Sequence, residues 1–83
     1  MRKIAVISAI LEDPKTCQNK FNEVVSSYNT IIKGRMGIPF YDHGVSIISL
    51  TVVGTLDEIN SFTGKLGKIQ HVFVKTAFSK KEV

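Results

Sequence analysis

Cysteine occurs once in the chain, at Cys17, and proline only twice, at Pro14 and Pro39. A single thiol cannot build an internal disulfide framework, and such usage suits a reducing cytoplasm. No pair of Cys or His residues has the spacing of a zinc site. Scarce proline, with 43% hydrophobic and 22% charged residues, argues against disorder, because the chain carries enough apolar surface to fold. A long hydrophobic run is also missing. The most apolar stretch, Val45 to Val53, includes Ser46, Ser49 and Thr51 and is far shorter than the roughly 20 residues that span a bilayer. Met1-Arg2-Lys3 before Ile4 to Leu11 has the outline of a signal peptide, but Glu12-Asp13-Pro14 follows at once with no small-residue cleavage site. A soluble, cytoplasmic protein with no membrane partner is expected.

The charge is mildly basic, with 11 Lys+Arg against 7 Asp+Glu. The excess is spread thinly and is partly terminal, at Arg2, Lys3, Lys80 and Lys81, so solubility accounts for it as well as nucleic acid does. Eighty-three residues leave room for one core, and the chain is read as a single domain over residues 1–83.

Arg2 to Leu11 is short, rich in Ile, Val and Ala, and closed by an acidic turn, which predicts a buried first strand. Asp13 is a natural N-cap whose carboxylate can take the first free amides, with Pro14 fitting the first helical position. From there Cys17, Phe21, Val24, Val25 and Tyr28 form one apolar stripe, with Lys15, Gln18, Asn19 and Glu23 facing water, until the helix ends near Asn29. Thr30 to Ile38 reads as an edge strand in which Ile32, Met36 and Ile38 alternate with Lys33, Arg35 and Gly37. Pro39 to Gly44 reads as a hairpin connection carrying Phe40 and Tyr41.

Val45 to Val53 is β-branched nearly throughout, with Ile48, Leu50 and Val52 on one face and Val45, Ile47 and Val53 on the other. Thr55-Leu56-Asp57-Glu58 is a capping box. The helix it opens carries Leu56, Ile59, Phe62, Leu66 and Ile69, with Gly64 inside it for close approach to the sheet and Gly67 placed to close it in the left-handed conformation. Val72 to Phe78 supplies the fourth strand, and Ser79 to Val83 reads as a polar tail.

This order predicts an α+β, ferredoxin-like βαββαβ sandwich, a four-stranded antiparallel sheet with two helices on one face. Strands one and three then lie in the middle, and both are apolar on two sides while the helices cover one. The uncovered side, carrying Val45, Ile47 and Val53, predicts a homo-oligomer, a dimer or higher even number, built sheet to sheet or edge to edge.

Catalysis finds no support, and no catalytic residue is assigned. His43 and His71 fall in different turns, and neither Cys17 nor any serine has a base beside it in a known signature. Cys17 lies on the apolar stripe and reads as a small buried hydrophobe. No metal site or cofactor is expected. Gly34-Arg35-Met36-Gly37 and Gly64-Lys65-Leu66-Gly67 lack P-loop and dinucleotide spacing. The same topology serves RNA-binding domains, but strands one and three hold no aromatic residue to stack bases, so direct RNA reading is not predicted. An acylphosphatase-like reading fails because strand one leads into Leu11-Glu12-Asp13 and not into a glycine-rich anion loop.

Gly34-Arg35-Met36-Gly37-Ile38-Pro39, then Gly44-Val45-Ser46-Ile47-Ile48-Ser49-Leu50, Gly54-Thr55-Leu56-Asp57-Glu58-Ile59 and Thr63-Gly64-Lys65-Leu66-Gly67 together resemble the iron-only hydrogenase system regulators. The resemblance covers nearly the whole chain. That family is similar to ACT domains and to the C-terminal domain of the nickel-responsive regulator, modules that oligomerise and bind effectors between subunits. The resemblance implies a regulator of hydrogenase expression or maturation, transcriptional or otherwise, with a small-molecule effector. Asp13-Pro14 is similar to the first ACT loop, with Lys15 where that motif has glycine, and the histidine-rich ligand set of the nickel regulator is not reproduced. No residues remain for a DNA-reading helix pair, so control of transcription would pass through a partner protein. The expected ligand site joins the end of strand one to strand two: Glu12 and Asp13 as polar anchors, Arg35 as an anion partner and Gly37 for close backbone approach. A plain interaction or scaffold module without ligand is the alternative.

Overall fold

A computed structural model describes residues 1–83. The chain runs β1 (Lys3–Leu11), α1 (Pro14–Ser27), β2 (Ile32–Phe40), a 3-10 turn (Tyr41–His43), β3 (Val45–Gly54), α2 (Leu56–Gly67) and β4 (Val72–Glu82). All strand pairs are antiparallel and the sheet order is β2-β3-β1-β4. This is the ferredoxin-like arrangement, with the two most apolar strands in the centre.

Strand alternation decides what the helices cover. Ala5, Ile7, Ala9 and Leu11 of β1 and Ile48, Leu50 and Val52 of β3 are buried. They meet Cys17, Phe21 and Val25 of α1 and Ile59, Phe62 and Leu66 of α2 in one core cluster. The opposite face has no helix over it. One row of cross-strand neighbours traverses that face on all four strands: Ile38 beside Ile47, Ile47 beside Ile10, Ile10 beside Phe73. Ile38 is 51% exposed and Phe73 56%. Val45, Ile47 and Val53 are half-buried on the same side.

Several local expectations are corrected. A register shift between Ile32 and Gly34 puts Ile32 opposite Val52 on the helix side, while Met36 and Ile38 face away from the helices. The extra residue breaks the two-residue period, so the three do not share a face. The strand also continues through Pro39 and Phe40, a place open to proline because β2 is an edge.

Asp13 caps α1 with its main chain and not its carboxylate. Its carbonyl accepts from the Thr16 and Cys17 amides at 3.0 and 3.2 Å, and the side chain makes no capping bond. The Thr55–Glu58 box forms in full, the Glu58 amide donating to Thr55 Oγ1 at 3.1 Å and the Thr55 amide to Glu58 Oε1 at 2.8 Å. Gly67 is the last residue of α2 without turning left-handed; His71 takes that conformation, at φ 72°. A Cβ on Gly64 would meet nothing within 4 Å, so that glycine is not an approach to the sheet. The tight place is Gly54, where a Cβ would lie 3.1 Å from both Ile31 Cγ2 and Glu58 Oε1.

The expected polar tail is strand as far as Glu82. Arg2 and Val83 exchange two backbone hydrogen bonds, at 3.3 and 3.0 Å, and Lys3 Nζ lies 3.4 Å from Glu82 Oε2. Both ends of the described chain are thereby fastened side by side.

Candidate functional site

The start of α1, the helix-facing side of β2 and the turn into β3 enclose a hollow of about 580 Å3. Its wall combines Asp13, Pro14, Lys15 and Gln18 with Arg35, Gly37 and Pro39, and it is closed at the sheet end by Phe40, Tyr41 and the Gly44–Ser46 segment. Local sequence explains each part. Pro14 starts α1 where Asp13 ends its turn, so Lys15 in the first turn and Gln18 at the start of the second both border the hollow. The register of β2 places Arg35 beside Leu50, Gly37 beside Ile48 and Pro39 beside Ser46, all on the helix side. Gly44 turns the chain back at φ 63°, a conformation that glycine adopts without strain.

Arg35 is the most constrained polar group here. Its Nη2 donates to Asn22 Oδ1 at 2.9 Å, and its guanidinium carbon lies 5.8 Å from the centre of the Phe21 ring. The chain's one ion pair is Lys3–Glu82, so Arg35 and Lys15 both stand in the hollow without a carboxylate partner. Asp13 supplies the one negative charge in the wall. Two cations, one anion and a glycine backbone make a surface suited to a small anionic or zwitterionic molecule.

Of the four residues expected at a ligand site, Asp13, Arg35 and Gly37 meet in this hollow. Glu12 does not line it. The Glu12 amide instead donates to the His71 carbonyl at 2.8 Å, which draws it toward the turn between α2 and β4. Lys15, Gln18, Pro39, Phe40 and Tyr41 went unforeseen. The signal for the aromatics lay in the turn-like run Pro39 to Gly44, but only the tertiary fold sets it at the rim of the same hollow as the start of α1.

Cys17 is buried in the core. Burial pushes its thiol above the ordinary cysteine range, with the backbone hydrogen bond to Asp13 working the other way. No three His, Cys, Asp or Glu side chains come together as a group able to hold a metal ion. No helix is long and apolar enough to cross a membrane.

A family model described as "TM1266-like: Iron-only hydrogenase system regulator, putative" matches residues 3–76. The chain belongs to the TM1266-like family. Among solved structures, the uncharacterised protein TM1266 of Thermotoga maritima is 29% identical with a TM-score of 0.92, covering 96% of this chain and 100% of its own. The ACT domain of GTP pyrophosphokinase from Chlorobium tepidum is 24% identical with a TM-score of 0.78, covering 93% of this chain and 100% of that one. A formyltetrahydrofolate deformylase from Pseudomonas syringae pv. tomato is 16% identical with a TM-score of 0.63, covering 98% of this chain and 28% of that chain. The last two show the fold alone. No curated protein matches the chain.

Proposed function

We propose that this member of the TM1266-like family is a cytoplasmic, non-catalytic regulatory domain of an iron-only hydrogenase system that binds a small effector in the Asp13–Arg35–Gly37 hollow and works as an oligomer. The carrying observation is the meeting of unpaired Arg35 and Lys15 with Asp13 and a glycine backbone in one space of about 580 Å3. A wall so charged on one side and aromatic at its end favours a molecule with both an anionic and an apolar part. The likeness to an ACT domain supports the reading at the level of fold.

The hollow lies beside β2, whose outer edge has no strand paired to it. A second copy approaching there would close the hollow, placing the effector between subunits. The helix-free face offers the second contact. Four strands at about 4.8 Å spacing and nine residues at about 3.3 Å make a face of roughly 19 by 30 Å, and two such faces bury about 1,100 Å2, near the low end of stable interfaces. Both helices of this domain pack into the core, which favours action on transcription through a partner protein.

The test is a thermal-shift screen of amino acids, nucleotides and small carboxylates, read beside light scattering. A compound that raises the melting temperature with concentration, and fails to do so on the Arg35→Ala chain, supports the reading. A chain that oligomerises and responds to nothing is a plain interaction module, the reading favoured by the apolar row Ile38–Ile47–Ile10–Phe73.

A further inference from the structure

On the other flank of α1 lies a second hollow, of about 410 Å3, formed where the helix passes the turn between α2 and β4. Thr16 and Lys20 stand on one wall and Lys68, Gln70 and His71 on the other, with Cys17 and Ile69 buried beneath. Two lysines and a histidine line it, and no acidic side chain does. Lys20 and Lys68 form no ion pair. The Gln70 and His71 amides make no hydrogen bond within the chain, although His71 is held in the left-handed region at φ 72°. The turn therefore sets a left-handed histidine and two solvent-facing amides beside Lys20 and Lys68, with Glu12 joined to it through the bond from its amide to the His71 carbonyl and no carboxylate in the wall itself.

We infer that this second hollow is an anion site for a phosphate-bearing ligand, distinct from the Asp13–Arg35–Gly37 hollow. Lysine ammonium groups and backbone amides suit phosphate oxygens, which accept several charge-assisted hydrogen bonds at once. The volume exceeds that of a single phosphate and admits a diphosphate or a phosphorylated small molecule. This site does not depend on the proposed effector function, and the two fail separately because their residues do not overlap.

The experiment is titration of the full chain with inorganic pyrophosphate at 150 mM NaCl, a buffer choice of roughly physiological strength, followed by amide chemical shifts and calorimetry. Saturable shifts confined to Thr16, Cys17, Lys68, Gln70 and His71 support the site. Lys20→Ala and Lys68→Ala should each weaken binding by about tenfold or more, the loss of one charge-assisted hydrogen bond. His71→Asn, which tolerates the left-handed backbone, should weaken it with the fold intact. Lys33→Ala, on β2 and in neither hollow, should leave it unchanged. ADP in a parallel titration separates the sources: tighter binding than pyrophosphate points to a nucleotide, equal binding to free polyphosphate. The inference is overturned if pyrophosphate does not saturate, or if Lys80→Ala and Lys81→Ala at the far end of β4 weaken binding as much as Lys20→Ala.

Discussion

Arg35 of β2 is fastened to Asn22 of α1 by a 2.9 Å hydrogen bond, and the same guanidinium lies over the Phe21 ring. An edge strand is thereby tied to a helix at the wall of the first hollow. The contact is exposed, so Asn22→Ala should cost no more than about 1 kcal/mol of stability. Its larger effect falls on orientation. Arg35→Lys keeps the charge but loses the planar fork, and it should reduce a ligand-dependent melting shift nearly as far as Arg35→Ala, by about tenfold in affinity. Calorimetric unfolding with and without the screened ligand measures both quantities.

Two glycines should respond oppositely to alanine. At Gly54 the new methyl would press Ile31 and the capping carboxylate of Glu58 at 3.1 Å, and overpacking of this kind costs about 1–3 kcal/mol. At Gly64 it meets open space inside a helix, where alanine is worth up to about 1 kcal/mol. Urea midpoints of the two variants decide the matter; equal signs would contradict the packing described.

The capping box makes stability depend on pH. The hydrogen bond from the Thr55 backbone amide, then that to the Thr55 side chain, holds the Glu58 carboxyl below the ordinary glutamate range, with Arg2 adding a smaller charge effect. A carboxyl depressed in the folded state stabilises fully above its unfolded range and loses that contribution as pH falls through the folded value. Wild-type stability should therefore fall through the acid region below about pH 4.3 more steeply than that of Glu58→Gln. Denaturant melts between pH 3 and 6 provide the comparison.

Ile47 occupies the middle of the helix-free face, between Ile38 and Ile10. Ile47→Asp should leave the helix-side core untouched and raise the dissociation constant of a face-to-face assembly by about a hundredfold, since it strands a charge at the centre of an apolar contact. Light scattering across a concentration series reads this directly. Full-strength assembly in that variant would move the contact to the β2 edge.

The fold was legible where periodicity and local chemistry agreed. The twofold apolar patterns of β1 and β3 implied central strands, and Thr55 with Glu58 marked the start of α2 to the residue. Illegible features depended on partners distant in sequence. The bulge after Ile32 appears only once β2 is registered against β3, and it packs a half-buried Ile32 against the core. Strand β4 runs on to Glu82 because β1 takes up Glu82 opposite Lys3 after a register shift beyond Phe78, which the polar letters of Ser79 to Glu82 do not announce. At the hollow, Asp13, Arg35 and Gly37 could be guessed by residue type. Phe40 and Tyr41 could not, since their place at the rim of the hollow depends on β2 running on through Pro39 and Phe40 beside β3.

The mutual grip of Arg2 and Val83 also fixes a polarity. Both hollows sit where β1 leaves the sheet, whereas the two chain ends meet where it enters, nine residues away, roughly 30 Å at strand spacing. A tag, tether or neighbouring domain joined to either end would emerge from the pole remote from both cavities, so immobilising the molecule through its ends should leave ligand access free.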